Sequence, residues 1–363
     1  MNNSSILNSK IFKPLLISAL FLLFCVKPTL SFSQEKAAEA SEKRFDPKEL
    51  VFEHIGDSHS WPVSVPFMSE HFVALPIILY TDKGLEIFSS EKLGFHHAEG
   101  HEAPVYKGEH YSYKLEGKKV VAVNETGEIN KEAKVYDFSI TRNVISMWMG
   151  MIVLLIIFFA VASAYKKRSG KAPKGLQSLL EPVILFVRDD VAIPNIGVKY
   201  AKYMPLLLTI FFFILINNLL GLVPFFPGGF NLTGNIAVTL VLSFIVLIVI
   251  NFSGNKYYWK HIFAPGIPLW LYPIMVPVEI IGIISKPFAL MIRLFANITA
   301  GHIIVLSLIS LIFIFKTAWM STVSVPFVVF MDCIELLVAF LQAFIFTMLT
   351  SLFIGMAVEE HHH

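Results

Sequence analysis

Cysteine and charge are both scarce in this chain. Only two cysteines occur in 363 residues. Cys25 lies in an apolar N-terminal run and Cys333 in a late hydrophobic segment, so no disulfide framework is expected. The sequence has no Gly-x-x-x-x-Gly-Lys phosphate loop, no His-Glu-x-x-His metal pair and no Gly-x-Ser-x-Gly elbow. Nothing in it calls for a cofactor or a resident metal. Charged residues are 15% of the chain, 29 basic against 27 acidic, and that near balance leaves no basic patch for nucleic acid. The deficit is also local. Between Tyr203 and Val358, 156 residues carry eight charges: Lys256, Lys260, Glu279, Lys286, Arg293, Lys316, Asp332 and Glu335. A soluble fold of that size would carry charge on every exposed face. With 55% apolar residues and a mean hydropathy of +0.65, the chain reads as a polytopic membrane protein. Any function must come from polar groups placed in lipid.

Residues 1–33 read as a secretory signal. Lys10 and Lys13 precede a short apolar core, Leu15–Val26, and Ser31-Phe32-Ser33 suits cleavage before Gln34. That core is well short of the roughly 20 residues a span needs. Residues 34–142 are polar and mixed in charge, and are expected to form a small extracytoplasmic domain with β content. Glu35–Arg44 reads as a solvated linker. Val73–Tyr80, Asp82-Lys83-Gly84 and Leu85–Ser89 read as a β-hairpin, and Lys118–Val123 followed by Asn124-Glu125-Thr126-Gly127 as another strand and turn. His96, His97, Glu99 and His101 have a spacing compatible with metal binding. A solvated histidine-rich loop is the simpler reading, and no metal site is expected.

The membrane domain is expected over 143–358, with a cytoplasmic tail at 359–363. The first span covers about Val144–Tyr165 and closes on Lys166-Lys167-Arg168. By the positive-inside rule this trio is cytoplasmic and the N-terminal domain lies outside. Leu176, Leu179, Leu180, Val183, Ile184 and Val187 then recur at helical spacing, as in an amphipathic helix on the cytoplasmic surface, bent at Pro182. Tyr203–Val223 and Ile236–Ile250 are the next spans, the latter returning to Lys256, Lys260 and His261 inside. The last two segments are too long to stand upright. Ile274–Phe315 would be a helix of roughly 63 Å at about 1.5 Å per residue, against a hydrocarbon layer of about 30 Å. Such a helix must tilt or break, with Pro287 the weak point. The fold class is therefore an all-α polytopic membrane protein with about five membrane-embedded helices, the last two a long tilted hairpin, plus the β-containing outer domain.

Ionisable groups in those last segments each cost about 2.5–3.5 kcal/mol at the bilayer centre on insertion scales, so they demand partners or an aqueous path. In an antiparallel hairpin turning near Lys316–Met320, residues whose numbers sum to about 636 lie at equal depth. His302 with Glu335 and Arg293 with Gln342 both satisfy that register. Glu279 and Arg293 share a face about four turns apart, Asn297 sits one turn above Arg293, and Glu335 and Gln342 share a face. A proton-exchanging histidine–carboxylate pair thus lies toward the outer leaflet, with a permanent cation near mid-membrane and a carboxylate toward the cytoplasm. Arginine cannot relay protons, but it can attract or displace a carboxylate on a partner. Asp332 and Lys286 are secondary candidates: Asp332 either lines the same outer path or snorkels, and Lys286 snorkels toward the cytoplasmic interface. Asn217 and Asn218 read as helix-packing contacts.

At these residues the sequence resembles subunit a of the rotary F-type ATP synthase membrane sector. The likeness rests on Ser285-Lys286-Pro287-Phe288-Ala289-Leu290-Met291-Ile292-Arg293-Leu294-Phe295-Ala296-Asn297, on Ala300-Gly301-His302 and on Leu341-Gln342-Ala343-Phe344-Ile345-Phe346. Weaker matches are Asn218-Leu219-Leu220-Gly221-Leu222-Val223-Pro224, the basic trio with its surface helix, and Glu359-Glu360-His361. The resemblance covers roughly residues 143–361. It implies a non-catalytic stator subunit in a bacterial inner membrane, partnered by a ring of c subunits, a b-subunit peripheral stalk, other ATP synthase subunits and the lipid bilayer. It further implies that Arg293 faces the ring and separates two offset half-channels, with Gln342 beside it. His302 and Glu335 would belong to the outer half-channel and Glu279 to the cytoplasmic one. The signal and the long 34–142 region depart from shorter members of the family. The alternative class, a self-contained ion-coupled transporter or channel, predicts inverted repeats or repeated polar rings, and no internal repeat occurs.

Overall fold

The computed structural model of the protein describes residues 56–63, 71–94, 104–116, 119–124, 128–130, 133–168, 170–223, 229, 232–263, 268–315 and 317–359. The expected signal segment, the His96–His101 cluster, Lys316 and the terminal histidines lie outside the described residues. The first described region holds β1 (Ser60–Val63), β2 (His71–Ala74), β3 (Pro76–Thr81), β4 (Gly84–Ser89), β5 (Tyr106–Lys107), β6 (Ser112–Glu116), β7 (Lys119–Val123) and β8 (Val135–Asp137). They pair antiparallel as β1–β2, β4–β3–β8 and β5–β6–β7.

The expected hairpin is β3–β4, in register from Pro76↔Ser89 to Thr81↔Gly84 around Asp82-Lys83. Gly84 has φ 147, and the His110 ring occupies the space a Cβ would need. The strand read as Val73–Tyr80 is split at Leu75. Its N–H turns aside to the His59 carbonyl (3.3 Å) and the Ser90 hydroxyl (3.0 Å), which frees His71–Ala74 to pair with β1. Alternation along β3 buries Ile77 and Leu79 with Phe88, Leu93, Tyr113 and Val120. Glu86 is buried beneath this sheet, and its carboxylate accepts from the Glu109 and His110 amides and the Tyr113 hydroxyl. Burial, then that carboxylate, pushes the Tyr113 phenol above its usual range.

No free linker separates the sheets from the first helix. Phe138 N–H donates to the Ile78 carbonyl and Ile140 N–H to Pro76. Arg142 donates its amide to Ser58 and its guanidinium to the Gly56 carbonyl (2.7 Å).

Among the described residues, five helices are long and apolar enough to cross a membrane. Helix α1 spans Arg142–Lys167 and α2 Leu176–Phe186. Pro182 lies inside α2, which runs on to Phe186. A π-turn (Val187–Ala192), one helical turn (Ile193–Ile196) and Gly197 at φ 69 redirect the chain into α3, Tyr200–Leu222. Pro194, in the turn directly after it, has no N–H to give back to this wide turn. Of the amphipathic stripe, Leu180, Val183, Ile184 and Val187 join the main core, while Leu176 and Leu179 stay exposed. Helices α4 (Ile236–Ser253), α5 (Lys256–Phe263), α6 (Tyr272–Phe315) and α7 (Ala318–Val358) complete the bundle.

Helix α6 does not break at Pro287, nor at Pro277. Proline removes one rung from a 44-residue ladder, and the buried Pro287 ring contributes packing in return. An unbroken α6 would be about 66 Å long at 1.5 Å per residue, so tilt is the remaining way to fit it into a membrane. Helices α3 and α7 form the centre, where Phe211 packs edge-on against Phe212 (5.2 Å) and Phe340 (5.8 Å). The cytoplasm-assigned end of α7 is closed by the α4–α5 junction, where Asn255 donates to the Val358 carbonyl (2.7 Å). Gly355 abuts the Asn195 carbonyl, leaving no space for a side chain. By contrast, only 6% of the most apolar stretch of α6 is buried within the chain.

Candidate functional site

The site is built where α6 and α7 run antiparallel. Their register brings His302 Nδ1 to 3.7 Å from Glu335 Oε2, with side-chain exposures of 16% and 11%. Gly301 makes this approach feasible, because a Cβ there would lie 2.6 Å from Glu335 Oε1. Thus the depth-matching arithmetic placed this pair correctly.

A small cavity opens beside it, about 20 Å³ of space available to the centre of a water molecule, enough for one water. Asn217, Asn218, Thr233 and Asn297 supply polar groups to its lining, together with His302 and Glu335. Asn218 does two things at once. Its amide donates to the Ala339 carbonyl (3.2 Å) and its oxygen accepts from the Thr233 hydroxyl (2.6 Å), tying α3 to α7 and to the preceding loop. Asn217 donates to its own helix at Phe213 (2.7 Å), while its buried oxygen has no hydrogen-bond partner among the described residues and is turned toward Gly150 of α1. The packing reading of the two asparagines therefore holds for Asn218 but is incomplete, since both line the cavity. An adjacent amide pair in an otherwise apolar span was the available signal; Thr233, in a short loop, gave none.

The remaining candidates separate. Arg293 is exposed on α6 and makes no hydrogen bond or ion pair with another described residue. No internal salt bridge among the described residues therefore fixes it in place. Gln342 is buried, 4% exposed, so the two residues matched in register point to different surroundings. Asn297 is exposed yet reaches the cavity. Asp332, one turn from Glu335, is exposed, and the Lys286 ammonium lies 5.4 Å from the centre of the Phe353 ring.

Glu279 has a partner that sequence reasoning missed. His261 Nδ1, on α5, lies 3.7 Å from Glu279 Oε1, with exposures of 71% and 31%. No periodicity links residues across the α5–α6 turn, so only the fold joins them. Burial, then the Glu279 carboxylate, raises the neighbouring Tyr258 phenol above its usual value. No group of three or more metal-binding side chains occurs among the described residues.

Comparison with known proteins covers both regions. The family described as ATP synthase A chain matches residues 144–355, and a domain of unknown function (DUF8433) matches residues 50–138. ATP synthase subunit a of Chloroherpeton thalassium is 50% identical over 234 residues, 63% of this chain and 69% of the relative. ATP synthase subunit a 2 of Chlorobaculum tepidum is 49% identical over 236 residues, 63% and 66% respectively. ATP synthase subunit a of Myxococcus xanthus is 43% identical over 234 residues, 62% and 75%. The family match encloses every candidate side chain described above and more than half of the chain, which therefore belongs to the ATP synthase A chain family, as a multi-pass subunit of the ATP synthase membrane sector.

Proposed function

We propose that this stator subunit provides two offset half-channels for protons at the face of a rotating ring of c subunits. The observation that carries the reading is the His302–Glu335 pair between α6 and α7, beside a small cavity bordered by Asn217, Asn218 and Thr233, with Arg293 of α6 exposed and unbridged among the described residues. In this reading a proton enters from outside through the Asn217, Asn218 and Thr233 cavity. Imidazole and carboxylate can exchange it, since each binds and releases a proton reversibly. The proton then passes to a carboxylate on the ring.

Arg293 lies about 14 Å below His302 and about 21 Å above Glu279 along α6, at 1.5 Å per residue. Its fixed charge holds the arriving ring carboxylate ionised and closes the direct route between the two pairs. Buried Gln342 supports the same level from α7. After rotation the proton leaves through the Glu279–His261 site. The uncovered length of α6 is the surface offered to the ring. The basic trio places that exit in the cytoplasm, the sheets outside, and the C-terminus inside. The b-subunit stalk holds the assembly against rotation. One charge crossing 100 mV supplies about 2.3 kcal/mol, and a static chain with no nucleotide site transmits it only through a moving partner.

Replacing Arg293 with Ala in inverted membrane vesicles tests this. ATP-driven acidification is expected to vanish while the assembled complex persists; normal pumping would overturn the proposal. The same result separates it from a self-contained transporter, in which ATP would drive no acidification to lose.

A further inference from the structure

The family match leaves the sheet region without a role, and a line of contacts runs from that region to the cavity. Trp61 on β1 is 6% exposed and forms one apolar cluster with Leu232, 1% exposed, flanked by Ile145 of α1 and Leu220 of α3. The strand is brought there by its attachment to α1: Arg142 donates to the Ser58 and Gly56 carbonyls, and Asn143 N–H donates to Asp57 (3.2 Å). Leu232 is followed by Thr233, whose hydroxyl donates to Asn218 at 2.6 Å. Asn218 in turn holds the carbonyl of Ala339, one turn from Glu335. On the other side, Thr299, three residues before His302, donates its hydroxyl to the Gly234 carbonyl (3.3 Å). Thr233 thus lines the cavity, and the segment 232–234 that carries it is held by α3, α6 and β1.

We propose that Trp61 is a positioning residue for the outer half-channel: β1 clamps the 232–234 segment so that the Thr233–Asn218 bond keeps its place over the His302–Glu335 pair. This rests on the half-channel reading. The segment has no helical ladder of its own, so its position depends on what packs against it. A large aromatic side chain, buried against Leu232, supplies that packing over a wide area. Displacement of about 1 Å is enough to degrade an oriented proton-transfer arrangement. The clamp gives the sheet region a use that a detached outer domain would lack.

The experiment measures passive proton conduction per assembled complex in membranes stripped of the catalytic sector. Trp61→Ala should lower conduction about five-fold, the scale of coupling from one shell away, and Trp61→Phe should restore most of it. Thr233→Val should lower it too. The double variant should conduct no less than Thr233→Val alone, because both changes act through one bond. Ile87→Ala, exposed on β4 of the same region, should conduct as wild type. Losses that multiply in the double variant would overturn the clamp and leave the half-channel intact. So would wild-type conduction in Trp61→Ala beside a defect in Thr233→Val. Wild-type conduction in both Thr233→Val and Glu335→Gln would instead overturn the half-channel itself. Should Trp61→Ala fail to assemble, Leu232→Ala removes the other half of the contact and is read the same way.

Discussion

Two histidine–carboxylate pairs in this protein share a separation of 3.7 Å and differ in almost everything around it. His302–Glu335 is enclosed by α3, α6 and α7 and bordered by amides and a hydroxyl. His261–Glu279 sits at the α5–α6 turn, with the imidazole 71% exposed. Identical chemistry in different solvent carries different energy: an enclosed ion pair resists screening, while an open one competes with water and salt. Distance alone therefore does not rank the two. On the proposed reading, enclosure suits the first to a controlled relay and openness suits the second to an exit.

The contrast can be broken or sharpened in order of effect. Arg293 lies between the pairs, so Arg293→Ala should merge them and reduce coupled pumping to background; acidification of inverted vesicles is the measurement. Glu335→Gln keeps the shape of the enclosed pair but removes its proton exchange, and should lower pumping about 100-fold, the lower range for a positioned acid–base group. Asn218→Leu should destabilise the enclosed site by about 2 kcal/mol, from two hydrogen bonds at roughly 1 kcal/mol each. A lowered thermal midpoint of the purified complex would report it, and an unchanged midpoint would show that the two bonds contribute nothing net. His261→Ala should change pumping by no more than about five-fold, because an exposed pair contributes about 0–1 kcal/mol. Equal losses at His261 and His302 would erase the distinction drawn here.

The smallest effect lies outside the membrane. His59 Nε2 approaches Asp137 at 3.3 Å, and Ser139 N–H donates to the same carboxylate (2.9 Å). Burial acts to raise Asp137, but these hydrogen bonds outweigh it and hold the carboxyl below its usual value. A depressed folded pKa stabilises the folded state fully above the unfolded value of about 3.9 and loses that contribution as pH falls through the folded one. Protection factors of the β8 amides, corrected for the intrinsic slowing of exchange with falling pH, should therefore drop below about pH 4, and Asp137→Asn should flatten that dependence.

Much of the architecture was legible because it rests on local pattern. Span ends fell within a few residues of Arg142–Lys167, Ile236–Ser253 and Tyr272–Phe315, since apolar runs stop where charge begins. The β3–β4 hairpin was legible in Asp82-Lys83-Gly84 between alternating strands. His302–Glu335 was legible because an antiparallel hairpin turns depth into a sum of residue numbers. Continuity through Pro287 was not legible, because a proline's local penalty is outweighed by packing that only the fold supplies. The contacts of Thr233, His261 and Trp61 were not legible either, since each reaches its partner across a turn or from another element.

By itself, then, the sequence determined the solvent, the number of spans, the hairpin register and the few polar groups that lipid must accommodate. Those follow from hydropathy, helical rise and the cost of a charge in hydrocarbon, which act along the chain. Only the tertiary structure decided which polar groups are enclosed and which are open. It also turned Arg293 outward and Gln342 inward, and brought β1 of the sheet region against Leu232, next to the cavity-lining Thr233. Enclosure depends on what several segments exclude together, and no single stretch of sequence carries that information.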